Sequence, residues 1–241
     1  MSAREGLLQE DDGFFGPGWD LAIALIAVLI LTLAIEARAH RQDWRRKQQA
    51  QLDIAAILES QLRLIDTLAT HYRTKPRNLG PDTFGIVIRP GSQEPDITIH
   101  NDATLQRISF GDHLLFESNE AVLVSGGAAI LRDLAKVLAT ELDRLRQIEI
   151  EGHADRRTPR VFRSNLELAA HRAMTVYQAL ETYGIDPART VMSASSFGEY
   201  VPVKRNRADS TYSRARLIRD NDNQAKQRLN RRIEVVLLYR Q

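Results

Sequence analysis

"EGHAD" (Glu151–Asp155) and, ten residues on, "NLELAAHRAMTVYQALETYG" (Asn165–Gly184) decide the fold of this 241-residue chain. The first stretch closes "QIEIEG" (Gln147–Gly152), an apolar–polar alternation that predicts a half-buried strand. The second predicts a helix over Ser164–Tyr183, with Leu168, Ala169, Met174, Val176, Tyr177 and Leu180 available for burial. Gly184 suits its C-cap. Asn165 and Arg172 are seven residues apart, two helical turns, so they share a face.

Outward from this unit the pattern continues. Asn119–Thr140 reads as a helix with Leu131, Leu134, Ala135 and Leu138 on one side, and "LQRISFGDHLLF" before it carries strand-like runs. "TVMSASSFG" and "NRRIEVVLLY" (Asn230–Tyr239) are further strands. The polar Asp209–Arg228 stretch between them reads as a surface helix or loop. The order is βαβαββ, which predicts an α+β domain with a mixed sheet. Upstream, "FGIVIRPG" and "DITIH" are short β-rich runs, and "KPRNLGPDTFG" (Lys75–Gly85) breaks what precedes it with two Pro and two Gly. A domain boundary is expected near residue 75, giving a domain over 76–241.

The N-terminal part differs in kind. Residues 1–13 form a short acidic tail. Residues 14–35 carry a single charge, Asp20, followed by an apolar run of fifteen residues, Leu21–Ile35, broken only by Thr32. About 20 helical residues cross a bilayer core of about 30 Å, so the stretch can span. Phe14, Phe15 and Trp19 suit an interface, and Pro17 suits a first helical turn. Three roles are open. A cleaved signal peptide has support from Ala37-Arg38-Ala39, but Glu10, Asp11 and Asp12 replace the basic residues that should precede it. A plain anchor would hold Asp20 at its polar edge. An ion carrier would hold Asp20 within the membrane, where desolvation raises a carboxyl pKa. Residues 36–75 read as a linker helix, with Leu52, Ala55, Ala56, Leu58, Leu62, Ile65 and Leu68 recurring at three- and four-residue steps. That pattern suits a solvated stalk, a dimer seam or a membrane-surface helix. Arg38, Arg41, Arg45, Arg46 and Lys47 follow the span, so the positive-inside rule favours a cytoplasmic C-terminal part.

Composition removes several function classes. The net charge is only +2, without a basic run interleaved with aromatics, so no nucleic-acid partner is expected. The absence of Cys removes disulfide scaffolds, thiolate metal sites and Cys nucleophiles. Six His scattered without metal-ligand spacing argue against a metal or general base at His153 or His171, and no metal is expected. With no P-loop, dinucleotide fingerprint or nucleophile elbow, neither an enzyme nor a cofactor is expected.

The blocks "GDHLLFESNEAVLVSGGAAILRDLAKVL", "EGHAD", "NLELAAHRAMTVYQALETYGIDPAR", "SSFGEYVPV" and "NRRIEV", in order over residues 105–239, resemble the OmpA/MotB-like peptidoglycan-binding family. The resemblance implies recognition of a diaminopimelate-containing stem peptide by Asp155, Asn165, Leu168 and Arg172. An acid and an Arg facing one another suit a zwitterion, because Arg makes a forked contact to carboxylate. The alternative is an internal Asp155–Arg172 ion pair. Arg231 and Arg232 suit ligand contacts or sheet-edge salt bridges, and the structural reading is favoured. Three positions depart from the family pattern: Ser164 replaces a Tyr, Ala169 a Ser, and "RRTPRVFR" a Gly-containing turn.

The layout of tail, one span, linker and wall-binding domain resembles the MotB-type subunits of ion-driven motors. Within that group it is most similar to the ZorB-type subunits of Zorya anti-phage systems. This implies an inner-membrane protein with a cytoplasmic N-terminus and a periplasmic domain, against the charge bias. It also implies Asp20 as ion carrier, a homodimer, and a polytopic MotA/ZorA-like partner in a five-to-two ring. A passive envelope anchor and a flagellar MotB-type stator subunit are the alternatives.

Overall fold

In the computed structural model, residues 18–89, 91–205 and 211–240 are described. The first element, α1, is the helix Gly18–His71. Two compact units divide the chain after Leu52. In the first unit, the side chains from Leu21 to Ile35 are exposed around the whole circumference of α1. A helix apolar on every side is stable only in an apolar medium. Its best 18-residue window has a mean hydropathy of 2.3, so α1 is long and apolar enough to cross a membrane once. Residues 1–13 and the side chain of Asp20 lie outside the described residues.

The second unit begins at Asp53, inside the segment read as linker. Ile57, Leu64, Ile65, Leu68 and Ala69, on the last turns of α1, are buried in its core. Polar groups pin the same turns. Gln61 Nε2 donates to the carbonyls of Asp102 and Leu105 (2.8 and 3.0 Å), and Ser60 Oγ donates to Glu141 Oε2 (2.6 Å). Part of the apolar stripe therefore packs on the chain's own domain.

Among the described residues seven strands follow: β1 (Arg77–Gly80), β2 (Thr83–Ile86), β3 (Ile97–Asn101), β4 (Leu105–Gly111), β5 (Leu145–His153), β6 (Val191–Gly198) and β7 (Arg232–Tyr239). Short α2 (Asp112–Leu115) and α3 (Ser125–Ala139) lie between β4 and β5, and α4 (Asn165–Thr182) joins β5 to β6. Short α5 (Arg214–Arg219) and α6 (Gln224–Asn230) precede β7. The sheet order is β1-β2-β3-β4-β7-β5-β6. Only β5–β6 is parallel, as a crossover through a helix requires. The expected βαβαββ core is thus β4-α3-β5-α4-β6-β7, extended at the β4 edge by β1–β3.

Local chemistry sets the helix limits. Asn119 has φ 62° and Val124, the N-cap, is extended (φ −73°, ψ 156°), so α3 starts at Ser125 and not at Asn119 as its periodicity predicts. Ser164 caps α4, its Oγ accepting the Glu167 N–H (3.1 Å), while Glu167 Oε2 accepts from the Arg163 N–H (2.7 Å). At the far end Gly184 takes φ 103°. Its N–H donates to Glu181 O and that of Ile185 to Leu180 O, a Schellman motif with both apolar partners buried. On α4, Leu168, Ala169, Ala173, Val176, Ala179 and Leu180 face the core. Met174, expected there, is exposed because it falls one position off that stripe.

β5 and α4 approach very closely. A Cβ on Gly152 would lie 2.1 Å from the Ala169 carbonyl oxygen, so only glycine fits there. This contact sets the start of α4 beside the end of β5.

Candidate functional site

Cross-strand register brings several chain segments to one end of the sheet. Gly111 and His153, the last residues of β4 and β5, both pair with Arg232, the first residue of β7. Their neighbours Asp112, Asp155 and Arg231 therefore meet just beyond the strand ends, beside the first turns of α4. A small cavity of about 50 Å³ lies there, and Asp155, Asn165, Leu168 and Arg172 all line it. Asp112, Arg157 and Arg231 complete its charged wall.

Arg172 is 2% exposed, an expensive place for a charge unless it is paired. Its Nη1 donates to Asp112 Oδ2 (2.9 Å), its Nε donates to the Glu120 carbonyl (2.8 Å), and its guanidinium lies 5.1 Å from the centre of the Phe116 ring. Burial lowers its pKa from the ordinary guanidinium value, and Asp112 opposes that shift. An Arg has five donors, so after these two bonds it keeps donors for a ligand carboxylate. Asp155, 3% exposed, accepts the Arg157 N–H on Oδ1 (2.8 Å) and both Arg157 Nε (2.8 Å) and Arg231 Nη1 (2.5 Å) on Oδ2. Arg231 Nε also reaches Asp112 (3.3 Å). Asn165 Nδ2 donates to Glu199 Oε2 (2.6 Å).

The alternative of an internal ion pair thus takes another form. Arg172 pairs with Asp112, and Asp155 pairs with Arg157 and Arg231. Asp112, Arg157 and Arg231 are the residues that sequence reasoning missed. A lone acid ending the strand-like run before "HLLF" was the only signal for Asp112. Arg231, read as structural, lines the cavity, whereas Arg232 turns to Glu234 (Nε–Oε1 2.7 Å).

A second charged group lies on another face of the sheet. Glu151, His153 and Glu234 present ligand atoms within 4.8 Å of one another. His153 is 1% exposed, with neither ring nitrogen hydrogen-bonded among the described residues. Burial lowers its pKa. Arg107 Nη1 bridges Glu151 (3.1 Å) and Glu234 (3.0 Å), so two carboxylates already face two guanidiniums, Arg107 and Arg232. A divalent ion added there would leave a buried excess of positive charge, which is costly. A larger cleft, about 460 Å³, opens nearby between Asp96, Phe110, His113 and Arg228. Its buried acids are already paired with guanidiniums, Asp96 with Arg89 (2.6 Å) and Glu234 with Arg232 (2.7 Å).

Together these features define an α+β domain with a mixed sheet and a charged cavity at its strand ends, in a chain carrying one apolar N-terminal helix. Residues 115–216 match the OmpA family. Among solved structures, a MotB-like protein of Desulfovibrio vulgaris is similar at 21% identity and a TM-score of 0.59, covering 79% of this chain and 99% of that one. The periplasmic domain of Helicobacter pylori MotB is similar at 21% identity and a TM-score of 0.53, covering 66% and 88%. At that identity the likeness concerns the fold, which is OmpA-like and shared with MotB periplasmic domains. No curated protein sequence matches the chain.

Proposed function

We propose that this protein is a wall-anchored, single-pass inner-membrane subunit of an ion-driven motor of the MotB/ZorB kind, serving anti-phage defence. The observation that carries it is the convergence of Asp155, Asn165, Leu168 and Arg172 on one cavity of an OmpA-like domain, in a chain with one membrane-length apolar helix among the described residues. The ligand is the diaminopimelate of a peptidoglycan stem peptide. Its ammonium seats on Asp155 and its carboxylate takes the free donors of Arg172, a charge-assisted pairing at both ends.

In this scheme residues 1–13 are cytoplasmic, 14–35 cross the membrane, and the domain is periplasmic. Two copies sit in a ring of five multi-span partners. Asp20 takes up and releases an ion, a proton by the chemistry of a desolvated carboxyl. The partner holds the orientation against the positive charge of Arg38–Lys47.

Asp20→Asn tests the motor role. In cells carrying the chain and its multi-span partner, the variant inserts and co-purifies with that partner in mild detergent, yet gives no phage protection. Full protection by Asp20→Asn would remove the ion-carrier role and leave a passive envelope anchor.

A further inference from the structure

The seat for an ammonium in the cavity between Asp155 and Arg172 is occupied. Asp155 Oδ2 already accepts from Arg157 Nε and Arg231 Nη1, and Oδ1 from the Arg157 N–H. A carboxylate offers about four lone-pair positions, so little of Asp155 is left for a ligand.

The two arginines are not equivalent. Arg231 is held from both sides, bridging Asp155 and Asp112 at the start of β7, and its side chain is only 23% exposed. Arg157 lies in the loop 156–163, which has no helix or strand, and its side chain is 61% exposed against 4% for the side chain of Asp155. It can leave into solvent, because an exposed guanidinium is well hydrated and Arg231 still holds the carboxylate that it leaves.

We propose that the Arg157 guanidinium is an internal stand-in for the ligand's ammonium, keeping the site closed until a stem peptide displaces it. This rests on the wall-binding role of the site. The Arg157 backbone N–H stays on Asp155 Oδ1 and keeps the loop in place while the side chain swings out. Binding then requires the open state, so apparent affinity is reduced by the fraction of molecules that are open. The gate also selects for charge, since only a ligand that brings its own cation to Asp155 compensates the carboxylate that Arg157 leaves.

The test measures binding of a labelled tripeptide ending in meso-diaminopimelate to the full chain in detergent, by fluorescence anisotropy. Arg157→Gln keeps the backbone N–H and removes the cation. It should bind the tripeptide about two- to five-fold more tightly than wild type, the worth of an exposed ion pair, with the gain in the on-rate. Arg157→Lys should return towards wild type. Asp155→Asn and Arg172→Lys should both lose binding. If Arg157→Gln binds equally or more weakly while those two lose binding, Arg157 is a ligand contact or a loop support and the gate is refuted. If Asp155→Asn and Arg172→Lys bind as wild type does, wall binding at this site fails and the gate falls with it.

Discussion

Two clusters of carboxylates and guanidiniums lie a few residues apart and behave differently. Asp112, Asp155, Arg157, Arg172 and Arg231 surround a cavity, three cations to two anions. Among the described residues, Glu151, Glu234, Arg107 and Arg232 lie with His153, two cations to two anions. Adjacent residues of one strand start, Arg231 and Arg232, join different clusters because successive side chains point to opposite sides. The charge count separates a site from a brace. A surplus guanidinium next to a cavity leaves donors for an incoming anion, whereas a balanced group holds neighbouring strands together.

If the second cluster is a brace, breaking it costs stability and leaves ligand binding per folded molecule unchanged. The largest effect is expected for Glu234→Ala, which strips Arg232 and Arg107 of a shared buried partner. The loss is about 3–5 kcal/mol, measured by urea denaturation. A smaller effect concerns pH. Burial holds His153 below the ordinary imidazole value, against the pull of Glu151 and Glu234 and aided by the charge of Arg232. The unfolded chain therefore binds more protons as pH falls below about 6.5. Stability should fall with it, by at most about 1.4 kcal/mol per pH unit, and His153→Gln should flatten that slope. Smallest is Ser164→Ala, which removes the cap of α4 and costs about 1 kcal/mol. Unlike the first two, it should also weaken ligand binding, because the cap fixes Asn165 at the cavity.

Much of the core was legible because local rules act there. The alternation in Gln147–Gly152, the stripe on α4, and Gly184 each specify their element without outside help. Asp155, Asn165, Leu168 and Arg172 were within reach because one strand–loop–helix unit carries them all. Asp112 and Arg231 were not, since their place depends on Gly111 and His153 both facing Arg232, a register no single segment encodes. The periodicity of residues 52–68 was equally ambiguous. Of that stripe Ile65 and Leu68 pack on the chain's own domain, with Ile57 and Leu64 from beside it, while Leu52, Leu58 and Leu62 stay exposed.

The most direct test is sedimentation of the full chain in detergent with purified peptidoglycan sacculi. Wild type and a Glu234→Gln control should pellet with the sacculi. The double variant Asp155→Asn, Arg172→Lys, shown folded by circular dichroism, should stay in the supernatant. A folded double variant that pellets as wild type does would contradict wall binding through this cavity.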